Sequence, residues 1–383
     1  MLRTRGKALH ITSPVVGKVT RDPSNASSQH FLITGEYATS PAHVSAFGAV
    51  LSTALEAPSR WAIPTVYGAL SLDHLQEGDI VSLDASGSIN TQYRVHSTQN
   101  FLLATERCNS NCLMCSQPPK DRDDVPYLMD IHRQLLPLIP KDCPELGVTG
   151  GEPTLLGENF FELLSLCDEH LPETELHCLT NGRTFALRSF AERLGELALP
   201  QLMLGIPLYA DHYHLHDYIV QAPGAFDQTV RGLHNLANVN QRIEIRIVLH
   251  KLSVPRLVKL AHFIYKNLPF VEHVTFMGLE NTGYTPHNID KLWIDPVDYM
   301  EELLEAVEFL AAFRMHVSIY NHQLCILPPA LWQFSRQSIS DWKNIYLDAC
   351  QGCTLKTACG GFFASCGSRH SRFIAPLLES PVS

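Results

Sequence analysis

The sequence predicts an α/β fold, a partial (β/α)6 barrel with a small β-rich region before it and a cysteine-rich extension after it. Three observations carry this expectation. Residues 98–320 alternate short apolar runs with amphipathic helical patterns, which implies a mostly parallel sheet with helices outside. Residues 1–97 show short β-type runs bounded by turn residues instead. Beyond Asn321 the alternation stops and cysteines gather. The expected domains are therefore 1–97, 98–320 and 321–383.

In the first region Ile63–Gly68 and Asp79–Leu83 have β character, and Asp84–Gly87 is a turn leading to a further strand around Thr91–Val95. In the second region the strand candidates are Leu146–Val148, Glu175–Leu179, Leu202–Ile206, Glu244–Leu249, Val271–Phe276 and His316–Ile319. Helical patterns at Leu128–Leu138, Asn159–Glu169, Leu187–Leu197, Gly224–Leu236, Val254–Leu268 and Val297–Phe313 lie between them. About six strand–helix units favour a partial barrel over a closed eightfold one.

At 383 residues the chain exceeds what one hydrophobic core usually organises. Its net charge of −10 argues against binding nucleic acid by phosphate neutralisation, and is compatible with a basic peptide or a redox partner. No apolar run approaches the ~18 residues of a membrane span, and Met1–Gly6 lacks the hydrophobic segment of a signal peptide. The expectation is a cytoplasmic protein without a membrane partner. In that reducing setting, 11 cysteines point to metal rather than disulfides.

The most informative run is Cys108-Asn-Ser-Asn-Cys112-Leu-Met-Cys115, three thiols on one loop after the apolar stretch Phe101–Ala104. Chance would give this spacing about 0.01 times in such a chain. Three thiolates can hold three corners of a four-iron, four-sulfur cluster and leave one iron open. Structural zinc is the alternative, but it normally takes four protein ligands and C-x2-C spacing. The spacing also departs from the run found in electron-carrying ferredoxins.

Gly150-Gly151-Glu152-Pro153-Thr154 follows one strand and Thr180-Asn181-Gly182 the next, at the strand ends that line sites in parallel α/β sheets. The glycines let backbone approach a ligand closely. An ordinary tight turn would read the same way. Gly205-Ile206-Pro207-Leu208-Tyr209, Arg246 and Glu280-Asn281 are further candidates at the mouth, with salt-bridge or capping work as the alternative. The histidine-rich stretch Asp211–Asp217 has no dedicated zinc spacing and reads as a surface loop or substrate-facing lid, where His216 or Asp217 could position substrate.

In the tail, Cys350-x2-Cys353-x5-Cys359 is compact enough to chelate metal, with Cys325 returning in space as a fourth ligand. Cys366 either joins the set or stays free, and a structural zinc remains an alternative to iron. Cys143, Cys167 and Cys178 have no paired spacing and read as core or surface thiols.

Taken together, Cys108, Cys112 and Cys115 with Met114 before the last cysteine, the Gly150–Thr154 motif and Asn181 resemble the radical SAM superfamily over about residues 98–320. The resemblance implies a TIM-type partial barrel and a [4Fe-4S] cluster whose open iron binds the amino and carboxylate groups of S-adenosyl-L-methionine. It implies that Met114 lies near adenine, that Gly150, Gly151, Glu152 and Pro153 face the methionine moiety, and that Asn181 and Gly205 contact the cofactor. Arg246 and Glu280 are added as candidates. The implied chemistry is reductive cleavage of the sulfonium to a 5′-deoxyadenosyl radical, which takes a hydrogen atom from substrate. The tail resembles the SPASM/twitch-like auxiliary-cluster extension of peptide-modifying radical enzymes, which implies a second [4Fe-4S] cluster. It departs from the longer version of that pattern, since six positions rather than three separate Cys359 from Cys366.

A narrower likeness is carried by Thr105–Pro119, Phe276–Glu280, Ser338–Asn344, Cys325 and Cys359–Phe363, which resemble the HxsC maturase family of His-Xaa-Ser peptide-modification systems. That likeness implies a ribosomally made His-Xaa-Ser repeat protein as substrate, a companion radical SAM maturase, and a reducing partner such as flavodoxin or ferredoxin. Crosslinking through a carbon–carbon or carbon–heteroatom bond is the expected modification. The competing readings are a radical enzyme acting on a small metabolite and a noncatalytic iron–sulfur or zinc scaffold.

Overall fold

The computed structural model describes residues 2–35, 41–58, 61–337, 345–367 and 369–378. The Ser338–Asn344 segment therefore lies outside the described residues. Two sheets organise the chain. Its contacts divide it into two compact units, one of Met1–Ala104, Asp123–Val148 and Leu156–Leu176, the other of Thr105–Arg122, Thr149–Leu155 and His177–Ser383.

The first unit holds an eight-stranded sheet of β1 (Arg3–Arg5), β2 (Lys7–Leu9), β3 (Val15–Thr20), β4 (His30–Thr34), β5 (Ala49–Ser52), β6 (Thr65–Tyr67), β7 (Ile80–Leu83) and β8 (Ser88–Tyr93), with the short helix α1 (Pro41–Val44) between β4 and β5. The strand order is β1-β8-β7-β3-β4-β5-β6-β2. Its two ends are one run of chain: Arg3–Arg5 pairs with β8, Lys7–Leu9 pairs with β6, and Gly6 N donates to Gly87 O at 2.9 Å between them. The sheet thus closes on itself, which removes exposed edges. A side chain at Gly6 would strike Tyr67 O, so glycine is required at the seam. Phe31, Leu51, Val66, Val81, Leu83 and Ile89 fill the interior, while Leu32, Val50, Phe47 and Trp61 form a second apolar cluster. Strand β8 ends at Tyr93 rather than Val95, because Val95 N bonds the Asp79 carboxylate at 3.0 Å instead of a neighbouring strand.

The second sheet has seven strands in the order β15-β14-β13-β12-β11-β10-β9. These are β9 (Asn100–Leu103), β10 (Glu145–Thr149), β11 (Glu175–Leu179), β12 (Leu202–Pro207), β13 (Arg242–Leu249), β14 (His273–Gly278) and β15 (His316–Tyr320). Helices alternate with them: α2 (Val125–Leu135), α3 (Glu158–His170), α4 (Arg188–Glu196), α5 (Tyr213–Val220), α6 (Ala225–Ala237), α7 (Leu257–Asn267), α8 (Ile289–Leu292) and α9 (Met300–Ala312). Neighbouring strands from β12 to β15 are parallel, and the sheet remains open. The fold is the α/β partial barrel that the alternation implies. Among the described residues no helix is long and apolar enough to cross a membrane.

Register separates the two faces of β12–β15. Leu204, Ile206, Ile243, Ile245, Ile247, Val274, Phe276 and Ile319 are fully buried on one face. The period-2 alternation of a strand sends Gly205, Glu244, Arg246, Thr275, Met277 and Ser318 to the other. An apolar face serves helix packing, so this polar face is the inner wall of the barrel.

One expectation needs correction. Asp211–Asp217 is not a loop, because Tyr213–Val220 forms α5. Its inward side carries His216, Ile219 and Val220, and His216 is 2% exposed. Burial pushes the His216 imidazole down to about 4, so it stays neutral and serves as an apolar-compatible helix residue. His216 Nδ1 lies 3.3 Å from Tyr209 N, and Asp217 accepts from Gly224 N at 2.6 Å and Phe226 N at 2.8 Å, capping α6.

Candidate active site

The three cysteines sit on a loop without regular structure, fixed by backbone hydrogen bonds on both sides. Asn111 N and Leu113 N each donate at 3.0 Å to Val220 O and Ile219 O, the last carbonyls of α5. Tyr284 N donates to Cys115 O at 2.8 Å, and Asn288 Nδ2 to Leu113 O at 2.9 Å. Gly283, at φ +60°, permits this approach, since a side chain there would strike Cys115 O. Leu113 and Met114 pack into an apolar cluster with Tyr209, Ile219 and Val220, against which Cys112 also packs. Met114 is 7% exposed in that cluster.

Burial pushes the Cys108 thiol up to about 11 and the Cys112 thiol up to about 12, and Cys115 is raised for the same reason. Cys112 is pushed further by Cys115 and Cys108, so the three sulfurs lie within electrostatic reach of each other. Opposing this, Ser110 N points at Cys108 Sγ at 3.4 Å, a backbone bond from Gln117 reaches Cys115, and the Arg183 guanidinium favours both Cys108 and Cys112 thiolates. Half-buried thiols with amide donors and one cation alongside fit an anionic iron–sulfur cluster, whose sulfurs take such hydrogen bonds.

The glycine-rich turn and the strand ends lock onto this loop. Gly151 N donates to Thr105 O and Glu152 N to Arg107 O, both at 2.7 Å. Side chains at Gly150 and Gly151 would strike those same carbonyls, so the two glycines allow backbone to pack on backbone at the foot of the cysteine loop. Pro153 opens a short 3-10 turn, Pro153–Leu156. Glu152 is fully buried, and its carboxylate accepts from Thr154 N at 3.0 Å, Thr154 Oγ1 at 2.7 Å, Thr180 Oγ1 at 2.6 Å and Asn181 N at 2.6 Å. All four donors belong to the protein, so Glu152 ties the glycine turn to the end of β11. Burial pushes its carboxyl above the usual range, with these donors pulling the other way. Asn181 Nδ2 donates to Asn109 Oδ1 at 2.6 Å, and Arg183 reaches Asn109 O and Ser110 Oγ. Sequence reasoning missed the roles of Asn109 and Arg183, although each lies within two residues of a motif position.

Deeper in the barrel, Gly205 leaves the space that His177, Leu179 and Arg246 fill. Arg246 pairs with Glu244 at 3.0 Å and approaches Met277 Sδ at 3.1 Å, while His177 Nε2 lies 2.8 Å from Glu244. Burial works to raise the Glu244 carboxyl, and Arg246 with His177 outweighs it, holding the group down to about 2. A depressed carboxyl stabilises the fold above its unfolded pKa of about 4.3, and that contribution fades as pH falls towards 2. In urea titrations of the metal-free protein, the wild type should therefore exceed Glu244→Gln by a margin that shrinks by about 3 kcal/mol over this window. A margin independent of pH would count against the ion-paired arrangement. Glu280 follows β14, half-buried, beside Asn281.

In the tail, Cys325, Cys350, Cys353 and Cys359 line one cavity. Burial raises Cys325 and Cys359; Cys359 and Cys350 add to the first, Cys350 and Cys353 to the second. Backbone hydrogen bonds from Ala375 to Cys325, and from Gly361 and Leu324 to Cys359, aim donors at the sulfurs. Cys366 is not in this group and lines a different cavity. Cys143, Cys167 and Cys178 are buried core thiols. Among the described residues no three His, Cys, Asp or Glu side chains gather as a single-ion site. Tetrahedral zinc at about 2.3 Å from sulfur needs thiolates roughly 3.8 Å apart, whereas a cuboidal cluster holds them farther apart.

Residues 102–264 match the model of the Radical SAM superfamily. A curated relative, the uncharacterized protein MJ0907 of Methanocaldococcus jannaschii, is 24% identical over 46% of this chain and 65% of its own length. Among solved structures, Streptococcus suis SuiB bound to S-adenosylmethionine has a TM-score of 0.47 at 17% identity, over 65% of this chain and 55% of that one. The structure titled native anSMEcpe with bound AdoMet and Cp18Cys peptide has a TM-score of 0.48 at 17% identity, over 72% and 91%. A radical SAM methyltransferase from Sphaerobacter thermophilus has a TM-score of 0.43 at 13% identity, over 67% and 73%. The chain thus spans about half the length of SuiB and just under two thirds of the curated relative. The matched segment contains the three cysteines, the Gly150–Thr154 turn and Asn181.

Proposed function

We propose that this chain is a radical SAM maturase that modifies a ribosomally made peptide, with a His-Xaa-Ser repeat protein as substrate. The observation that carries the reading is the coupled cysteine trio held at the strand ends by Asn109, Asn181 and Arg183. In this reading Cys108, Cys112 and Cys115 hold a [4Fe-4S] cluster. S-adenosyl-L-methionine lies among Met114, Gly150–Pro153, Asn181, Gly205, Arg246 and Glu280. Once bound, the pair supplies one-electron cleavage of the sulfonium and a carbon radical able to take hydrogen from substrate.

The chain's own groups prepare that site. Arg183 offsets negative charge at Cys108 and Cys112. Tyr209, buried against Leu113 and Met114, keeps water from the underside of the loop. Glu152 fixes the glycine turn relative to Asn181. The peptide substrate is supported by the tail, where four cysteines and their amide donors fit an auxiliary [4Fe-4S] cluster, and by the HxsC-like segments. A companion maturase and a flavodoxin- or ferredoxin-type reductant complete a cytoplasmic system, and crosslinking is the modification first to be sought.

Anaerobic reconstitution with iron and sulfide tests the proposal. About eight irons per chain are expected, and about four after Cys359→Ser. Reduced protein should release 5′-deoxyadenosine, faster with a His-Xaa-Ser repeat peptide, and the peptide should lose hydrogen mass. Stoichiometric zinc without a second iron signal overturns the auxiliary cluster. Cleavage with no peptide response favours a small-metabolite enzyme, and no cleavage at all leaves a scaffold.

A further inference from the structure

Arg183 is half-buried, and every group to which it donates is neutral. Its Nε donates to Gln228 Oε1 on α6 at 2.7 Å. Its Nη1 donates to Asn109 O and, at 3.0 Å, to Ser110 Oγ. Its Nη2 has no hydrogen-bond partner among the described residues, and neither has the guanidinium an acidic one. Arg246 and Arg256 of the same unit each pair with a carboxylate, Glu244 at 3.0 Å and Asp211 at 2.5 Å. The contrast stands in a chain that carries 39 Asp and Glu against 29 Lys and Arg. A charge drawn out of water normally has a counter-charge. The anions within electrostatic reach of Arg183 are the cysteine sulfurs.

Two routes connect the guanidinium to those sulfurs. It favours the thiolates of Cys108 and Cys112 directly. It also fixes a donor, because Ser110, 7% exposed, takes the Nη1 bond at Oγ while Ser110 N points at Cys108 Sγ at 3.4 Å. A four-iron cluster gains one negative charge on reduction, and its net charge and the hydrogen bonds to its sulfurs set its potential. Both routes act in one direction, towards easier reduction. The loop has other anchors for its position, in the main-chain bonds of Asn111 and Leu113 to α5 and of Tyr284 to Cys115.

We propose that Arg183 is a positioning residue that sets the reduction potential of the first cluster, raising it towards the reach of a protein electron donor. The inference rests on the reading of Cys108, Cys112 and Cys115 as cluster ligands, and it adds the residue that governs electron uptake at that site. In the step concerned the donor loses one electron and the cluster gains it. No bond forms or breaks, and Arg183 offsets the added charge.

The test compares reconstituted wild type with Arg183→Gln and Arg183→Lys in redox titrations followed by paramagnetic resonance, without S-adenosylmethionine. The signal of the first cluster is the one that Cys112→Ser lacks. Arg183→Gln should keep its full iron content while its reduction equilibrium falls about tenfold, a potential about 59 mV lower for one electron. Arg183→Lys keeps the charge without the planar fork and should recover most of that shift. The gap between wild type and Arg183→Gln should narrow as salt rises from about 0.01 M to about 1 M, because Arg183 is open to ionic screening. An unchanged potential in Arg183→Gln would overturn the proposal and leave Arg183 a clamp or a contact to the nucleotide. So would a shift that Arg183→Lys does not recover, a gap indifferent to salt, or iron loss shared by both variants. If wild type forms no signal that Cys112→Ser lacks, the cluster reading itself fails, and this inference with it.

Discussion

Cys112→Ser is expected to cost the protein about four irons and to lower 5′-deoxyadenosine release at least about a thousandfold, while the fold survives. The loss is large because a cluster held at three corners has no spare protein ligand. A serine hydroxyl at the most buried of the three positions cannot replace a thiolate. Folding should be spared because the loop is positioned by main-chain bonds, from Asn111 and Leu113 to the end of α5 and from Tyr284 to Cys115, together with the burial of Leu113 and Met114. None of these uses a sulfur atom. Iron analysis, paramagnetic resonance and circular dichroism of the reconstituted variant read the three outcomes separately. The tail cluster should persist, so the iron content should halve rather than vanish. Full iron content in the variant would show that Cys112 is not a ligand.

The strand–helix alternation was legible because each strand from β10 to β15 carries its own apolar run and each long helix its own periodic face. Those are local signals. The β-rich region was only partly legible. Arg3–Arg5 and Lys7–Leu9 hold no apolar alternation of their own, and they become strands because Gly6 lets one segment close the sheet between β8 and β6. That is a long-range fact. The histidine-rich stretch misled for a different reason. A histidine reads as polar, yet His216 is kept neutral by burial and occupies the inward side of a helix.

At the site, the cysteine spacing and the glycine-rich motif could be read because their chemistry is written in consecutive residues. Asn109, Arg183 and the Glu244–Arg246–His177 arrangement could not, since each depends on which strand ends the fold sets side by side. Glycine roles were legible in kind but not in partner. Gly150 and Gly151 were expected to make room for a ligand, and the carbonyls their absent side chains would strike belong to Thr105 and Arg107. The tail shows the same division. The compact Cys350–Cys359 run was readable as a chelating group, whereas the separation of Cys366 onto another cavity depends on the path of the chain through Gly360 and Gly361.

Glu152→Ala is expected to destabilise the protein by about 3–5 kcal/mol, the scale of removing one partner from a buried charged network. Two backbone donors, Thr154 N and Asn181 N, and two hydroxyls converge on this one carboxylate in a fully buried position. Alanine would leave a cavity and strand the donors. Thr154 Oγ1 alone has another partner to hand, Thr184 Oγ1 at 2.7 Å. Glu152→Gln should cost less, about 1–3 kcal/mol, because its carbonyl can still serve the three donors at Oε1 while its amide opposes Asn181 N. The order Ala worse than Gln therefore separates a hydrogen-bonding role from a charge role, since both variants remove the charge. If the carboxylate served chiefly as an anion facing a cofactor, the two variants should be equally stable without cofactor and equally impaired with it. Equilibrium unfolding of the metal-free variants decides between these patterns. Iron content after reconstitution should follow stability, because Asn181 reaches Asn109 on the cysteine loop and transmits any slippage between the glycine turn and the end of β11 to the loop that carries the cluster.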